Sequence, residues 1–522
     1  MGLWSIYFLA KVGLFYNKFI GFHCLLNFAF AIVLLLPIRN LKHQLIRKVL
    51  AIPASVCLLY YDSWLPPISR LFAQSNNLAG FNTHYLLELA GRFVNLWVLT
   101  GLVCLLVVYM FLQRRLRFSS LAIICMLSIP IFSLLGNVVN GLQTGYAQTA
   151  QEGTNFLAGQ PPTAALKAFY LAEGRKQIIF PSIINSAAPF DVIFLHVCSL
   201  SWDDVEYVGE GKVPLLNRFD VIFKQFNSAA SYSGPASLRL FQSSCGQQAH
   251  KSLYDGNAPR CNLFHNFKQA GFDVHGMLNH DGHFDQFSAL VQSASGINSK
   301  LEDNQFAPIA MHSFDNTPIY EDLPLLSTWW NQKAASDKRK VLYYNTITLH
   351  DGNRVPNLRS QSSQETFKPR VDKLMSDLDT FITLLERAGK PVIVVLLPEH
   401  GAALRGDKMQ ISGMREIPNP NITLVPAAIK LVGYKGNFNH ALNQPIQINK
   451  PVSYFAISTL MANFMADSPF TDDGGQLLAD RLQNLPNTAF VSENNDVVVM
   501  KQGNDYLMGS QDGTWVSYQP KP

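Results

Sequence analysis

The sequence predicts an N-terminal α-helical transmembrane bundle followed by an α/β domain. Three observations lead to this prediction. Hydrophobic residues make up 48% of the 522 residues and charged residues only 15%, whereas average soluble chains carry about 25% charged residues. Long apolar runs crowd residues 1–142, and continuous apolar strands flanking an amphipathic helix follow after residue 190. The chain is also too long for one ordinary domain.

The apolar runs in residues 1–142 have lengths that suit a hydrocarbon core about 30 Å thick. The first run lacks a small-residue cleavage site and is followed at once by further runs, so we do not interpret it as a cleavable signal peptide. A weaker run over residues 2–17 is interrupted by Lys11, so the number of spanning helices, four or five, stays open. The longer runs cover residues 19–38, 49–61 with their flanks, 93–112 and 121–139.

Charge is distributed unevenly along the chain. Residues 1–142 contain eleven Lys and Arg residues against two acidic residues, Asp62 and Glu88. Basic residues cluster in the loops 39–48 and 114–117, and such loops stay cytoplasmic. The chain therefore emerges on the non-cytoplasmic side. The large C-terminal part has no basic stripe interleaved with aromatic residues, so a DNA-binding function has no support.

We expect three parts on this basis. Residues 1–142 form the transmembrane domain, and residues 143–189 form a linker with juxtamembrane helices, including one at Pro162–Glu173. Residues 190–522 form a periplasmic catalytic domain.

The α/β prediction for the third part rests on its strands. They are continuously apolar rather than alternating, which is typical of a sheet covered on both faces. Between the strands Val341–Thr348 and Val392–Leu397 lies a helix with apolar residues at i, i+3, i+4 and i+7 from Val371 to Leu385, and Gly389 and Pro391 end it. The predicted strands are Asp191–Val197, Val341–Thr348 and Val392–Leu397, and residues 489–519 read as a terminal hairpin or meander with turns at Gly503-Asn504 and Asp512-Gly513.

The cysteines divide between the two halves of the chain. Three fall in the outer domain, where an oxidising compartment favours pairing. Cys245 and Cys261 are separated by a Gly/Pro/Asn-rich loop and are the expected disulfide, which leaves Cys198 at the carboxyl end of a buried strand. The cysteines in the apolar runs are interpreted as small buried hydrophobic residues: Cys24, Cys57, Cys104 and Cys125.

Four segments place reactive side chains at strand ends or turns. In open α/β sheets ligands bind at the carboxyl ends of the strands. One segment passes from extended chain into a helix with Pro235 at an early position, where a hydroxyl beside backbone N–H groups suits a phosphate. The segments are residues 196–203 (HVCSLSWD), 231–237 (SYSGPAS), 348–352 (TLHDG) and 398–401 (PEHG).

A metal site is predicted from three of these side chains. Cys198, Glu399 and His400 offer a thiolate, a carboxylate and an imidazole, which are all good Zn²⁺ ligands. Two donors from one turn and one from another strand end leave a fourth position for a nucleophile. A metal ion beside a serine hydroxyl lowers its pKa and stabilises a phosphoryl transition state.

Together these segments resemble the alkaline-phosphatase/sulfatase superfamily, in its membrane-anchored branch of phosphoethanolamine transferases and lipoteichoic acid synthases. The likeness is greatest to the cellulose phosphoethanolamine transferases, over essentially the whole chain. It rests on HVCSLSWDD, SYSGPA with a downstream CGQ, TLHDGN and LPEHGAAL. Cys198 stands where the superfamily usually has an acid, and Glu399 replaces the Asp of Asp-His-Gly. Both departures are shared with that subgroup.

The resemblance implies an alkaline-phosphatase-like three-layer fold and a role for each site residue. Ser233 would be the nucleophile and would join Cys198, Glu399 and His400 around Zn²⁺. His350 and Arg415 would contact phosphoryl oxygens or assist proton transfer. The rival nucleophiles are Ser231 and Ser237. The other histidines are interpreted by default as structural or exposed residues: His196, His280 and His283. A second metal site at residues 280–283 (HDGH) is an open alternative.

The implied reaction is a zinc-dependent transfer of the headgroup of phosphatidylethanolamine, through a covalent seryl intermediate, onto the 6-hydroxyls of nascent cellulose. The implied location is the bacterial inner membrane, with other subunits of the cellulose synthase and secretion complex as partners. Two alternatives remain open: a phosphoethanolamine transferase acting on lipid A or another glycan, and an inactive membrane scaffold of a polysaccharide secretion complex.

Overall fold

A computed structural model gives the structure of this chain. It has an N-terminal helical part followed by an α/β domain, as the sequence predicts. The turn residue Asp512 and residues 144–158 and 182–187 of the expected linker lie outside the described residues, and the limits of the three parts stay predictions. The structure describes residues 2–17, 19–63, 81–93, 96–113, 115–143, 159–181, 188–209, 214–256, 258–297, 300–333, 336–356, 358, 362–434, 445–471, 474–495, 497–510 and 513–520.

The N-terminal helices turn apolar side chains outward. Leu25 and Trp97 are each 87% exposed and Phe111 is 79% exposed, a surface that suits hydrocarbon rather than water. One described helix, α3, is by itself long and apolar enough to cross a membrane, and shorter apolar helices accompany it. The helices are α1 (Trp4–Tyr16), α2 (Cys24–Leu35), α3 (Leu41–Asp62), α4 (Thr83–Phe93), α5 (Leu96–Leu112) and α6 (Phe118–Gln143).

The polar residue that interrupts the first apolar run has a buried partner. The ammonium of Lys11 pairs with the carboxylate of Asp62 and donates to Asn27 Oδ1 at 2.7 Å. Phe8 and Val12 on the same helix join an apolar cluster with residues of α6. Helix α1 is therefore packed into the bundle, although its 13 residues rise only about 20 Å.

Two of the four cysteines in these helices were wrongly expected to be buried. Cys57 and Cys104 are exposed, and Cys24 and Cys125 are intermediate. Their helices are apolar on the outer face as well, so an apolar run does not distinguish a protein-facing cysteine from an outward-facing one.

The α/β domain is built on a seven-stranded mixed sheet. Its strand order is β3-β6-β1-β7-β8-β2-β9, and the central strands β6, β1 and β7 are parallel. The three predicted strands appear as β1, β6 and β7, shifted by at most two residues at an end. The strands are β1 (Asp191–Val197), β2 (Val221–Asn227), β3 (Asp273–Leu278), β4 (Ile309–His312), β5 (Pro318–Tyr320), β6 (Lys340–Thr346), β7 (Val392–Pro398), β8 (Leu424–Val432) and β9 (Ile446–Ile448).

Helices cover both faces of this sheet, as the continuous apolar strands predict. On β1, Val192 and Phe194 enter one apolar core while Ile193, Leu195 and Val197 enter the other. The predicted amphipathic helix is α13, which packs on the second face. The helices are α7 (Pro162–Glu173), α8 (Trp202–Tyr207), α9 (Ser233–Phe241), α10 (Leu263–Gln269), α11 (Phe287–Ala294), α12 (Asp322–Lys333), α13 (Phe367–Ala388), α14 (Pro420–Thr423), α15 (Tyr454–Ala466) and α16 (Gly474–Gln483).

The predicted terminal meander is a four-stranded antiparallel sheet packed on the linker helix. Trp515 Nε1 donates to Thr163 Oγ1 at 3.0 Å, and Tyr170 Oη donates to Glu493 Oε2 at 2.6 Å. Helix α7 has the predicted bounds. The strands are β10 (Val491–Glu493), β11 (Val497–Gln502), β12 (Asp505–Ser510) and β13 (Trp515–Tyr518).

The predicted disulfide is confirmed, because Cys245 and Cys261 are bonded to one another. The bridge ties the segment after α9 to the segment before α10, and α9 begins at Ser233. Cys198 is left free and buried.

We expect removal of this bridge to destabilise the domain. With a sequence separation of 16 residues, the chain-entropy model assigns such a loop about 3 kcal/mol. The double variant Cys245→Ser/Cys261→Ser should lower the free energy of unfolding by about that amount, measured by denaturant titration of the purified protein. Adding reductant should shift the wild-type transition towards that of the variant, and equal transitions for all samples would contradict the expectation.

Candidate metal centre and nucleophile

The carboxyl ends of β1 and β7 bring the predicted metal ligands together. The parallel register pairs Val197 with Pro398, so the residues that follow, Cys198 and Glu399, leave the sheet side by side. Backbone bonds fix both: Glu399 N donates to Val197 O at 2.8 Å, and Cys198 N donates to Thr346 O at 2.9 Å.

Three donor atoms converge at this edge. The ligand atoms of Cys198, Glu399 and His400 all lie within 4.8 Å of one another, and all three residues are buried. Cys198 Sγ is 3.8 Å from His400 Nε2, and that nitrogen is 3.8 Å from Glu399 Oε2. Among the described residues this is the one group of three or more such side chains that the structure assembles.

Ser233 faces this group and its two rivals do not. Its Oγ is 3.4 Å from Cys198 Sγ and 3.5 Å from His400 Nε2. Ser231 is turned away, with its Oγ donating to Arg415 O at 2.5 Å, and Ser237 Oγ is 3.2 Å from Tyr343 Oη. Ser233 also opens α9, where free backbone N–H groups attract an anion.

Glu399 is held from behind by two side chains that the sequence analysis did not assign to the site. Its Oε1 accepts from Asn345 Nδ2 at 2.5 Å and lies 3.1 Å from His196 Nδ1. Its Oε2 is buried without a partner. A buried carboxylate oxygen is costly when left unpaired, so this atom fits a cation. His196 is therefore buried and structural, and it supports a ligand.

Asn345 extends this support to a second histidine. His280 Nε2 lies 3.0 Å from Asn345 Oδ1, and His280 Nδ1 accepts from Gly282 N at 3.1 Å. His280 is thus engaged at both ring nitrogens, and His283 is exposed. Within the described part of the chain, no group of three metal-ligating side chains forms around residues 280–283.

His400 is oriented by its own turn. Its Nδ1 bonds to Gly401 O at 2.9 Å, which leaves Nε2 as the acceptor nitrogen facing Cys198 and Ser233. A histidine that ligates a metal ion is usually fixed in this way. A side chain at position 401 would come within 2.5 Å of Ser201 Oγ, so the turn can lie against α8 only with glycine there.

Asp204, six residues after Cys198, holds this turn in place. Asp204 Oδ2 accepts from Ser201 Oγ at 2.8 Å and from Ala402 N at 2.7 Å. Leu200 N donates to His400 O at 2.7 Å. The segments that carry Cys198 and His400 are therefore locked to each other.

The charge states of the three donors differ. Burial and the nearby Glu399 raise the pKa of Cys198 to about 12. Burial would raise the pKa of Glu399, but His196 and His400 lower it to about 2. Burial and Arg415 lower the pKa of His400 to about 3. At neutral pH the carboxylate is ionised, the imidazole is neutral and the thiol keeps its proton.

Arg415 contacts this group, and His350 lies close enough to Arg415 and His400 for their charges to interact. Arg415 Nη1 is 3.2 Å from His400 Nδ1 and donates to Ser199 Oγ at 3.4 Å. His350 Nδ1 bonds to Asp351 O at 2.7 Å, which leaves Nε2 as its acceptor. Burial and Arg415 lower the pKa of His350 to about 4, so this imidazole is neutral at pH 7.

We expect Asn345→Leu to weaken metal binding. The substitution removes the amide that orients Glu399 and keeps a similar volume. Loss of such a supporting contact typically costs about 10–100-fold in metal affinity, which Zn²⁺ titration against a competing chelator would measure. Ser237→Ala is the matched control, because Ser237 is also buried and bonded but contacts none of the three donors. Equal affinities for the two variants would contradict the assignment.

We also expect metal binding to release a proton from Cys198. A thiol with a raised pKa must lose its proton to become a ligand, so below that pKa its contribution to affinity rises about tenfold per pH unit. Calorimetry of Zn²⁺ binding in buffers of different ionisation enthalpy counts the protons released. Cys198→Asp should release about one fewer at pH 7, and an unchanged count would exclude Cys198 as a ligand.

Family models match both halves of the chain. One described as the cellulose biosynthesis protein BcsG C-terminal domain matches residues 146–515, and one for the BcsG N-terminal domain matches residues 4–131. The cellulose biosynthesis protein BcsG of Salmonella typhimurium is 38% identical over 543 residues, and that of Escherichia coli is 36% identical over 541 residues. Each alignment covers 99% of this chain and 96% of the relative.

Among solved structures the likenesses are more distant. A protein of the alkaline phosphatase superfamily from Vibrio parahaemolyticus is 12% identical with a TM-score of 0.46, covering 69% of this chain and 92% of that one. The integral membrane lipooligosaccharide phosphoethanolamine transferase A of Neisseria meningitidis is 14% identical with a TM-score of 0.40, covering 88% of this chain and 94% of that one. The two family matches and the identity along the whole length lead to one assignment: the chain belongs to the family of the cellulose biosynthesis protein BcsG.

Proposed function

We propose that this protein is a zinc-dependent phosphoethanolamine transferase of the bacterial inner membrane, with its catalytic domain in the periplasm. Phosphatidylethanolamine is the donor, Ser233 carries the phosphoethanolamine group covalently, and the 6-hydroxyls of cellulose are the acceptors. The observation that supports it best is Ser233 Oγ at a helix N-terminus, 3.4 Å from the Cys198 thiol and 3.5 Å from the His400 imidazole.

The donor set supports zinc. Cys198, Glu399, His400 and Ser233 offer sulfur, carboxylate, imidazole and hydroxyl donors, a combination that zinc accepts, and Glu399 Oε2 is buried without another partner. When bound, the ion would polarise a phosphoryl oxygen and favour the ionised form of the serine hydroxyl.

The first half-reaction opens a phosphate ester. Ser233 Oγ attacks the phosphorus of the lipid headgroup and loses its proton, while the bond from phosphorus to the diacylglycerol oxygen breaks and that oxygen takes up a proton. We assign the transient proton to His350 Nε2, because the bond from Nδ1 to Asp351 O leaves that nitrogen as the acceptor. The Arg415 guanidinium and the N–H groups at the start of α9 stabilise the phosphoryl oxygens.

The second half-reaction transfers the group to a sugar. A hydroxyl of the acceptor attacks the same phosphorus and gives its proton to His350 Nε2, and Ser233 Oγ leaves and regains a proton. Transfer in two displacements at one serine predicts a trapped phosphoethanolamine-serine when no acceptor is supplied.

The cellulose acceptor rests on the family, whose relatives are named as cellulose biosynthesis proteins. Other subunits of a cellulose synthase and secretion complex are the corresponding partners. Anchoring in the membrane through the N-terminal helices would keep the site within reach of lipid headgroups, which supports a lipid donor. The assembled cluster of Cys198, Ser233, Glu399 and His400 argues against an inactive scaffold.

We expect four variants to separate the roles of these residues. Ser233→Ala should abolish transfer and keep most of the metal, because three donors remain. His400→Ala should lose both metal and transfer. Cys198→Ser should weaken metal binding because a neutral hydroxyl replaces a soft thiolate, and Cys198→Asp should restore part of it. Zinc content and release of diacylglycerol from phosphatidylethanolamine, measured together for all four, check this.

Wild-type transfer by Ser233→Ala would move the nucleophile to Ser231 or Ser237. Full zinc occupancy in His400→Ala would overturn the metal site. The acceptor is tested separately: solid-state detection of phosphoethanolamine on exported cellulose should depend on the protein. Modification of lipid A or another glycan instead would change the acceptor but not the transferase reaction. Absence of transfer from any donor would favour the alternative of an inactive scaffold.

A further inference from the structure

A helix of the N-terminal part lies against the catalytic domain beside its site. Helix α4 immediately precedes the apolar helix α5 in the chain, yet its first residues contact a loop of the α/β domain. Asn82 N donates to Phe314 O at 2.9 Å, and Asn82 Nδ2 donates to Asn316 Oδ1 at 2.9 Å. The ring of Phe314 in turn lies 5.2 Å from the ring of His350.

The other end of α4 makes a buried ion-pair network with the segment that carries His350. Arg92 binds both carboxylate oxygens of Asp351, with Nη1 at 2.7 Å and Nη2 at 2.9 Å. Glu88 bonds to Arg92 and to Arg354, each at 2.5 Å. The side chains of Arg92, Glu88 and Asp351 are only 9%, 7% and 11% exposed. A desolvated, two-pronged arginine–carboxylate pair is both strong and geometrically specific.

Helix α4 therefore fixes the side chain of Asp351, and a residue of the α/β domain fixes the backbone of the neighbouring His350. The buried Arg370 donates to Thr348 O and to His350 O, each at 2.9 Å. Tyr85 Oη adds a bond to Asp351 Oδ2 at 3.0 Å. The backbone position of His350 thus depends on two guanidinium groups, one of which comes from the N-terminal part.

The same guanidinium also reaches the segment that leads to Arg415. A side chain at Gly413 would come within 2.2 Å of Arg92 Nη1, so the backbone there lies directly against Arg92. Arg92 thereby touches the two segments that carry His350 and Arg415. The structure records no bond from Arg92 to Cys198, Glu399 or His400 among the described residues.

We propose that Arg92 is a positioning residue: by clamping Asp351 it sets the place of His350, so that the phosphoryl side of the site is complete only while α4 is docked. The proposal rests on the proposed transferase function. It goes beyond that function by making a residue of the membrane part necessary for the chemistry. Metal binding is independent of it.

The first experiment uses the full-length protein in vesicles that contain phosphatidylethanolamine. Arg92→Ala should keep wild-type zinc content and KM, while kcat falls by about 100-fold, the scale expected when a reacting group is misplaced by about 1 Å. Arg92→Lys keeps the positive charge but not the two-pronged guanidinium, and its kcat should lie between those of the wild type and Arg92→Ala. Arg218→Ala is the control, because Arg218 also bridges two carboxylates, Asp379 at 2.6 Å and Glu386 at 2.7 Å, which lie on α13 more than two turns beyond the part of that helix that contacts His350.

The second experiment separates positioning from docking. Asn82→Cys/Asn316→Cys should cross-link with a short bifunctional thiol reagent, as seen by mass spectrometry of the peptides. Leu87→Cys/Asn316→Cys should not, because Leu87 lies about 200° around the helix from Tyr85, the side chain that packs on Phe314, and is itself 71% exposed. With α4 fixed by the cross-link, Arg92→Ala should still transfer slowly. Recovery to the wild-type rate would show that α4 only docks, and would overturn the role of Arg92.

The outcomes also distinguish this proposal from the proposed function. A wild-type chain that transfers nothing from phosphatidylethanolamine contradicts the function. A wild-type chain that transfers, with Arg92→Ala equally fast, contradicts only the positioning role. Absence of the cross-link between positions 82 and 316 contradicts the docking of α4 on which that role depends.

Discussion

The parallel register of β1 and β7 is the constraint on which the site depends. It delivers a thiol and a carboxylate to one buried point, and burying a carboxylate is costly unless it is compensated. The compensation is visible around Glu399, where His196 and Asn345 take one oxygen and the other oxygen faces Cys198 and His400. Gly401 serves the same convergence, because only glycine lets the turn that carries His400 lie against Ser201.

The sheet and the loops contribute differently to the site. The candidate metal ligands Cys198 and Glu399 follow directly after the central strands β1 and β7. These strands are buried on both faces and cannot shift without disturbing two apolar cores. The groups suited to phosphate, Arg415 and His350, sit on longer connections that side chains must hold in place. Arg370 and Arg92 do so by binding carbonyl and carboxylate oxygens. The candidate metal ligands are therefore held by the sheet, whereas the position of His350 depends on side chains from other segments.

The features that could be predicted from sequence are those carried by local pattern. Strand β1 has the bounds that its apolar run predicts, and the Gly/Pro/Asn-rich loop between Cys245 and Cys261 predicts the bridge that joins them. Asn345 was missed because an amide at the end of a strand carries no distinctive signal. The register that pairs it with His196 would have identified it. The bond from Arg92 to Asp351 spans 259 residues of sequence, and no local pattern indicates which of many charges will meet at that distance.

The packing of the linker helix on the antiparallel sheet has a consequence for the order of folding. Tyr170 bonds to Glu493, 323 residues further along the chain, and contacts of such high sequence separation form slowly. During synthesis, α7 is completed long before its partner strands have been made. Its apolar face, including Phe169, has no partner during that time, so a chain that stalls before Val491 would expose an apolar, aggregation-prone surface.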